Sequence, residues 1–380
     1  MVRRERRDDG GPIEGTGRRS DQAQYDRTVE WEAPDTLDFH YVKWDEDVRY
    51  ARNPGFGAAA YRNPEANFSL LSGEIVKPGI RVPSMTNIED MYRAALTVRT
   101  ILRLSPSERV SGVIKHDLPT GIARSGELAE AFNYAWRCDP MAAFGSVVGL
   151  SDVVDEDTAN LIIKRFIEWV VAPGYSDKAM EILEQKEKLR LFQINERDTV
   201  TDGGRCYIKP ISPDHDFNEY IRIGEELLVG ERYITQIKSP ENLECMSERQ
   251  PTDEEVEAAL FNWWCLGPTK SNAVIVGEKN RTRGIGGGQP ARIYSLNHAL
   301  DVATRKKKNR AEGKVIVSDA FFPKIDNIEA MHEKGVAGVV YPTGSDSDEA
   351  VLGAINKYGM FALVPRPEPG NSNRTERAFT

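Results

Sequence analysis

Apolar residues in the first part of the chain alternate between helical spacing and short continuous runs. Thr86-Asn-Ile-Glu89 has the pattern of a capping box and predicts the start of an amphipathic helix that ends near Leu104. The remaining pattern predicts strands at 110–114, 145–150, 169–174 and 189–194, and helices at 125–138, 155–167 and 176–186. Such alternation is typical of an α/β unit.

The same alternation returns in the last third of the chain. Thr252-Asp-Glu-Glu255 is a second capping box and predicts a helix that ends near Leu266. Strands are predicted at 273–279, 314–322, 337–342 and 361–364, and helices at 291–306, 326–334 and 347–357. The predicted fold is therefore α/β, with two α/β subdomains in tandem.

Domain limits follow from the segments without sustained periodicity. Residues 1–38 are polar and charged and contain glycines, and they predict a mobile arm. A first subdomain is predicted at 39–195, a loop-rich connecting segment at 196–250, and a second subdomain at 251–380.

Composition narrows the classes of function. The 380 residues are 40% hydrophobic and 29% charged, with a net charge of -9, which argues against nucleic-acid binding and favours small-molecule partners. No apolar stretch approaches a membrane span or a leader peptide, so we expect a cytoplasmic protein. The cysteines form no CxxC pair and none has a histidine at ligand spacing, so no metal site is predicted.

A lysine and a histidine stand together where the predicted strand 110–114 ends. Lys115 and His116 lie at a sheet edge, where α/β proteins usually bind ligands. A neutral imidazole accepts and returns a proton near pH 7, and a neighbouring ammonium disfavours its charged form. The lysine can also stabilise an oxyanion. The alternative is structural: the lysine is solvated and the histidine caps a turn before Pro119.

Three other segments allow a functional and a structural interpretation. Residues 283–292, RGIGGGQPAR, fit either a phosphate cradle at a helix start or a tight hairpin, and Arg292 offers a fork to an anion. Asn272 can donate to a carbonyl oxygen or close an Asx turn. Phe321 and Phe322 can stack on a flat ligand or belong to the core.

These segments belong to a series of motifs that occur in a fixed order. The series is RYARNP (49–54), TNIED (86–90), KHDLPTG (115–121), CDPMAAFG (138–145), APG (172–174), KSN (270–272), GIGGGQPAR (284–292) and SDAFFP (318–323). It resembles the transformylase family that formylates 5-aminoimidazole-4-carboxamide ribonucleotide (AICAR). The resemblance covers roughly residues 41–379. No segment resembles the cyclohydrolase domain that usually accompanies this family, which implies a free-standing transformylase.

The resemblance implies a fold, a reaction and a set of roles. The fold is two cytidine-deaminase-like subdomains, in a homodimer whose active sites span the interface. The formyl donor is 10-formyltetrahydrofolate, and no metal is required. His116 would move the proton of the substrate's 5-amino group, Lys115 would support the transition state, and Asn272 would hydrogen-bond the reacting groups.

The resemblance also implies two binding sites. The ribonucleotide would be lined by Arg49, Tyr50, Asn87, Gly145, Glu168, Phe321 and Arg377. The folate would contact Met141, Phe144, Arg292, Ile293, Pro323, Asp326, Ser345 and Asp346. Arg377-Ala-Phe379 matches the C-terminal R-x-F of the family, and Arg366 is a rival for the same role.

Several positions depart from the family pattern and leave the acceptor open. The family's NPHQ is Asn53-Pro-Gly-Phe56, a serine or asparagine is replaced by Leu118, and the serine of SAFG is Ala142. Each change removes a polar group near the expected site, and such changes alter which substrate is held. The main hypothesis is AICAR formylation; the alternatives are an AICAR-like amine in a specialised pathway and a catalytically silent homologue that binds nucleotide or folate.

Overall fold

The computed structural model describes residues 35–212, 218–223, 225–305, 309–367 and 376–378. The α/β class is confirmed, because these residues form a mixed 12-stranded sheet with cores on both faces. Residues 1–34 of the predicted arm lie outside the described part. Within that part, no helix has the length and apolar character that a membrane crossing requires.

The first half of the sheet comprises residues 74–193, after a separate pair of short strands, β1 (Val42–Lys43) and β2 (Tyr61–Arg62). Its elements are β3 (Glu74–Lys77), α1 (Met85–Leu104), β4 (Arg109–Lys115), β5 (Leu118–Ser125), α2 (Leu128–Trp136), β6 (Ser146–Leu150), α3 (Glu156–Ile162), β7 (Ile167–Ala172), α4 (Asp177–Glu184) and β8 (Arg190–Gln193). The β4–β5 hairpin is followed by β6, antiparallel to β4, and then by β7 and β8 in parallel.

The predicted connecting segment contains two small antiparallel hairpins. They are formed by β9 (Thr199–Asp202) with β10 (Arg205–Ile208), and by β11 (Asn218–Ile223) with β12 (Glu226–Glu231).

The second half comprises residues 243–365 and repeats the strand order of the first. Its elements are β13 (Leu243–Cys245), α5 (Asp253–Leu266), β14 (Val274–Glu278), β15 (Arg281–Gly286), α6 (Arg292–Thr304), β16 (Val315–Ser318), α7 (Asp326–Glu333), β17 (Gly338–Val340), α8 (Asp348–Lys357) and β18 (Phe361–Pro365). A hairpin, one antiparallel strand and two parallel strands follow one another again. The cytidine-deaminase-like classification of the two halves stays a prediction.

The two halves meet at β5 and β15, which run antiparallel in the middle of the sheet. Ala123 pairs with Arg281, and the backbone N–H of Arg124 donates to the carbonyl of Asn280 at 2.8 Å. One hydrophobic core includes Met91 of α1 and Phe261 of α5, so it extends across both halves. The opposite face carries a separate core under each half.

Glycines at equivalent positions of the two hairpins allow a helix to pack directly on each of them. A Cβ on Gly121 would lie 1.9 Å from the carbonyl oxygen of Ala135, and one on Gly284 would lie 2.0 Å from that of Ala299. Both distances are too short for any side chain, so glycine is required for α2 and α6 to pack directly on β5 and β15.

Two local predictions were wrong. The predicted helix at 125–138 begins only at Leu128, because strand β5 extends to Ser125 before it. Strand β5 contains a bulge, with Thr120 as the extra residue next to Pro119, where a strand tolerates proline. The cap of α1 is Ser84, whose hydroxyl accepts from the N–H of Asn87, rather than Thr86. The amide of Asn87 completes the box in place of a glutamate.

A charge cluster fixes the end of the β14–β15 hairpin. The carboxylate of Glu278 accepts from Arg283 at 2.6 Å and from Lys314 at 2.9 Å, and it also pairs with Arg281. Burial works to raise the pKa of Glu278, but these three cations outweigh it and lower the pKa to about 2.

We expect Glu278→Gln to lower the free energy of unfolding by about 2 kcal/mol at pH 7. Because the folded-state pKa is depressed, the stabilisation is complete above the ordinary value of 4.5 and is lost as the pH falls towards 2. Urea unfolding at pH 7 and pH 3 measures both differences. The control is Glu257→Gln, which removes an exposed partner of Lys279. An equal deficit for Glu278→Gln at both pH values would contradict the electrostatic explanation.

Candidate functional site

The Lys115–His116 pair lies on the tight turn between β4 and β5. His116 and Asp117 are the two central residues of that turn, with φ of 54° and 61°, as a two-residue hairpin of the I′ type requires. Their N–H groups donate to the two carboxylate oxygens of Asp90 on α1, at 3.2 and 2.6 Å. Burial raises the pKa of Asp90, and the two hydrogen bonds act against that rise. The buried carboxylate of Asp90 therefore holds the backbone of the turn against α1.

Asp117 connects this turn to the second half of the sheet. Its carboxylate accepts from Arg93 at 2.8 Å and pairs with Lys270 at 2.6 Å. Burial works to raise the pKa of Asp117, but Arg93 and Lys270 outweigh it, so the pKa lies below its ordinary value. Lys270 precedes Asn272 by two residues, so the ion pair links the segments that carry His116 and Asn272.

We expect Asp117→Asn to reduce kcat/KM by about tenfold for the transfer that the family resemblance implies, because misplaced reacting groups lose rate steeply. Asparagine tolerates the positive φ of the turn, so the substitution removes the charge and keeps the backbone. Steady-state kinetics of the proposed reaction measures the effect. Asp155→Asn, at the cap of α3, is the matched control; equal kinetics in both variants would argue against a positioning role for Asp117.

Lys115 joins the turn to residues predicted to bind ligands. Its ammonium donates to the carbonyl oxygen of Phe144. Gly145 has a φ of +73°, and a Cβ there would lie 3.7 Å from the lysine Nζ. Phe144 packs on Phe166 with ring centroids 4.7 Å apart, and its side chain remains 59% exposed. Met141 is also exposed, at 67%. Lys115 is therefore bonded to the backbone of the segment that carries these two exposed apolar side chains.

A cavity of about 260 Å³ opens beside the Lys115–His116 pair. Its polar lining includes Asp139, Gln289 and His298, and its apolar lining includes Leu118, Pro119, Ala142, Ile285 and Val302. Sequence analysis missed His298, because this residue lies within α6 and belongs to none of the motifs. Two residues that depart from the family pattern, Leu118 and Ala142, thus face the space beside the proposed proton carrier.

Asn272 is held by a partly buried network of hydrogen bonds. Its amide nitrogen donates to the carbonyl of Gln289 at 2.9 Å, and its amide oxygen accepts from Arg292 at 2.8 Å. Arg292 also pairs with Asp319 at 2.7 Å and donates to the carbonyl of Phe321 at 3.1 Å. Asp319 is fully buried and was missed, although it follows a buried strand within the SDAFFP motif.

The glycine stretch at 283–292 fits neither interpretation in full. Its first residues belong to β15, and the remainder leads directly into α6, which begins at Arg292. The N–H of Gly288, at a φ of +68°, donates to the carbonyl of Lys270 at 2.7 Å. The loop therefore braces the segment before Asn272, with Ile293 at the start of the helix packing partly against the core.

The C-terminal arginine lies beside Phe321. The guanidinium of Arg377 is 4.9 Å from the ring centroid of Phe321 and donates to the carbonyl of Thr343 at 3.4 Å. Its rival, Arg366, is buried and bonded to Glu244 at 2.8 Å. Phe379 lies outside the described residues. Contact with Phe321 therefore favours Arg377 as the arginine of the R-x-F match.

The other predicted folate residues follow the parallel strands of the second half. Pro323 and Asp326 come after β16 and are exposed, while Ser345 and Asp346 come after β17. Because carboxyl ends of parallel strands meet at one sheet edge, these loops share the edge that carries Phe321.

A second, cationic pocket of about 300 Å³ lies in the first half. It is lined by Arg49, Ile80, Arg81, Phe166, Glu168, Lys188 and Arg190. Asn87 donates to Glu168 at 3.1 Å, and Arg49 donates to the hydroxyl of Tyr50 at 3.1 Å. Burial lowers the pKa of Arg190, and the positive charges of Arg49 and Arg81 lower it further. The negative charge of Glu168 raises this pKa but does not outweigh them. Four cations around one carboxylate favour an anionic ligand.

Sequence analysis missed Arg81, Lys188 and Arg190, which come from segments without a motif. The Nε of Arg49 is buried and has no hydrogen-bond partner in the described part of the chain. In that part, the cationic pocket and the cavity beside His116 share no lining residue. Fold and clusters together define an α/β protein in which a largely apolar cavity beside His116 and a separate cationic pocket each have the size of a small molecule.

Comparison with known proteins places the chain in a family. The family model described as AICARFT/IMPCHase bienzyme matches residues 20–302. The bifunctional purine biosynthesis protein PurH of Ruminiclostridium cellulolyticum is 32% identical over 328 residues, 86% of this chain and 59% of the relative. PurH of Aquifex aeolicus is 32% identical over 322 residues, 85% of this chain and 58% of the relative.

The chain belongs to the AICARFT/IMPCHase bienzyme family, because the family model matches well over half of its length. The resemblance found in the sequence is confirmed at the level of the family. The chain spans a little less than three fifths of the length of these curated relatives.

Proposed function

We propose that the protein transfers a formyl group from 10-formyltetrahydrofolate to the 5-amino group of AICAR. The observation that carries the proposal is the Lys115–His116 turn, held by Asp90 and facing a cavity of about 260 Å³. Family membership supports the reaction class, because the name of the matched family includes AICAR formyl transfer.

In the proposed reaction the amine nitrogen of AICAR forms a bond to the formyl carbon. The bond from that carbon to N10 of the folate breaks, and the amine proton passes through His116 to the departing nitrogen. A conjugated amine is a weak nucleophile, so removal of its proton during attack is the main demand on the enzyme. The Lys115 ammonium would stabilise the oxyanion, and Asn272 would orient the reacting groups.

We assign the cationic pocket to the phosphate of the ribonucleotide. Arg49, Arg81, Lys188 and Arg190 supply positive charge, and the unpartnered Nε of Arg49 is a donor that a phosphate oxygen would satisfy. Glu168 would accept hydrogen bonds from ribose hydroxyls. Folate would occupy the exposed apolar surface at Met141 and Phe144 together with the loops that follow β16 and β17.

Purified protein is tested by incubation with AICAR and 10-formyltetrahydrofolate, with tetrahydrofolate release and the formamido product as readouts. Release of both products supports the proposal. Binding of both ligands without product would favour a silent homologue, and absence of binding would remove the proposal.

A second candidate is formyl transfer to an AICAR-like amine. The observation that favours it is the replacement of polar family residues by Leu118 and Ala142, both of which line the cavity beside His116. Competition between AICAR and related aminoimidazole nucleotides for the same folate-dependent turnover separates the two candidates.

We also propose a homodimer with shared active sites. Support comes from the β11–β12 hairpin, where Tyr220, Ile221, Ile223 and Leu228 are each at least 45% exposed. An apolar surface of this kind is typical of a protein interface. Light scattering gives the mass in solution, and constant specific activity in a verified monomer would oppose shared sites.

A further inference from the structure

A short C-terminal segment, residues 376–378, is bonded to the ends of β18 and β16 in the second half of the sheet. The N–H of Glu376 donates to the carbonyl of Pro365 at 3.0 Å, and the N–H of Ala378 donates to the carbonyl of Asp319 at 3.1 Å. Between them, Arg377 reaches Phe321 and Thr343. The position of Arg377 therefore depends on what holds this segment.

The Glu376 side chain is buried among donors from two other parts of the chain. One carboxylate oxygen accepts from the hydroxyl of Tyr233 at 2.6 Å, from the indole N–H of Trp263 at 3.3 Å and from the hydroxyl of Thr235. The other oxygen accepts from the N–H of Gln236 at 2.7 Å. Both oxygens are thus satisfied, as a buried carboxylate requires.

The donors themselves are held in place. The hydroxyl of Thr235 accepts from Trp263 at 3.0 Å and from the N–H of Ile237 at 3.1 Å. Tyr233 remains neutral, because burial and the Glu376 charge raise its pKa well above the ordinary value. The carboxylate therefore meets a set of neutral, oriented donors from residues 233–236 and α5, and no cation is among these contacts. Such directional hydrogen bonds hold the segment in one geometry. They do not neutralise the charge of the carboxylate.

We propose that Glu376 is a positioning residue, which anchors the C-terminal segment so that the Arg377 guanidinium stands beside Phe321 and contacts the ribonucleotide. This inference rests on the proposed function for the identity of that ligand. Glu376 itself touches no proposed ligand site. Its effect on ligand binding must pass through Arg377.

The test combines Glu376→Gln, Arg377→Ala and the double variant. Gln has nearly the same shape but places an NH₂ against donors, so the anchor is lost with little change in volume. We expect Glu376→Gln to raise the KM for AICAR about tenfold, with kcat within about twofold of wild type. In the Arg377→Ala background, the same substitution should change KM no further.

Two further measurements separate anchoring from general stability. Hydrogen exchange of the ligand-free protein should show faster exchange at Arg377 and Ala378 in Glu376→Gln. Glu255→Gln is the control, because Glu255 is a partly buried carboxylate that caps α5 and pairs with Arg249. It should lower the free energy of unfolding without raising the KM for AICAR.

Additive effects of Glu376→Gln and Arg377→Ala on KM, or unchanged exchange at Ala378, would overturn the inference. A rise in KM in the Glu255→Gln control would do the same, because general destabilisation would then explain the result. If wild type neither binds nor formylates AICAR, the proposed function fails, and the exchange measurement still decides whether Glu376 anchors Arg377.

Discussion

His116→Asn is expected to lower kcat for formyl transfer by about 10³-fold, while the protein remains folded. A positioned proton carrier contributes typically ~10² to 10⁴ in rate, and asparagine cannot move a proton near pH 7. Asparagine is preferred to alanine because it adopts the positive φ of 54° found at this turn position. Stopped-flow or steady-state measurement of tetrahydrofolate release gives kcat, and urea unfolding confirms an unchanged free energy of unfolding.

His332→Asn is the matched control, since His332 lies on α7 and stacks on Tyr358 at 4.1 Å. It should keep wild-type kcat. Added imidazole should partly restore turnover in His116→Asn and leave His332→Asn unaffected. If His116→Asn retains more than about a tenth of wild-type kcat, another group carries the proton, and His298 in the same cavity becomes the first candidate.

Arg49→Gln with Lys188→Gln is expected to raise the KM for AICAR by about 100-fold, with kcat nearly unchanged. Each charge-assisted hydrogen bond to phosphate contributes about 1.5 kcal/mol or more, and 1.4 kcal/mol corresponds to tenfold in affinity. The two side chains line the cationic pocket. Steady-state kinetics with varied AICAR at saturating folate measures the effect.

The riboside that lacks the phosphate supplies the internal comparison. Its affinity should be low in wild type and should not fall further in the double variant. Arg52→Gln is the control arginine, because Arg52 bonds Glu89 at 2.8 Å and is absent from the pocket lining. An equal loss of affinity for AICAR and for the riboside would place the phosphate elsewhere.

Sequence patterns predicted the helix bounds of the second half more closely than those of the first, while two strands were missed in each half, β3 and β5 in the first and β13 and β15 in the second. The box at Thr252 and Glu255 caps α5 as predicted, because both partners are local in sequence. Strand β5 was missed because Pro119 and Gly121 look like loop residues. Strand β5 accommodates these two residues through its bulge at Thr120 and through the direct packing of α2 on Gly121, and only the tertiary structure supplies both.

The same distinction applies to the site. Lys115 and His116 were selected because they stand in a short motif at the end of a strand, and Arg292 because it stands in a glycine motif at a helix start. Asp90 and Asp319 act from other segments, and nothing near them in sequence indicates which partners they meet. The cationic pocket likewise gathers Arg81, Lys188 and Arg190 around Glu168, a grouping produced by the alignment of β3 with β8.

The antiparallel seam between β5 and β15 limits how the protein can move during a catalytic cycle. A hinge that opened the two halves would break the bond from Arg124 to Asn280 and split the core shared by α1 and α5. Many two-lobed enzymes admit ligands by opening and closing their domains. Here that movement would lose the contacts across the seam, which makes it unfavourable. We therefore expect ligands to enter at the strand-end loops, without a change in the arrangement of the two halves.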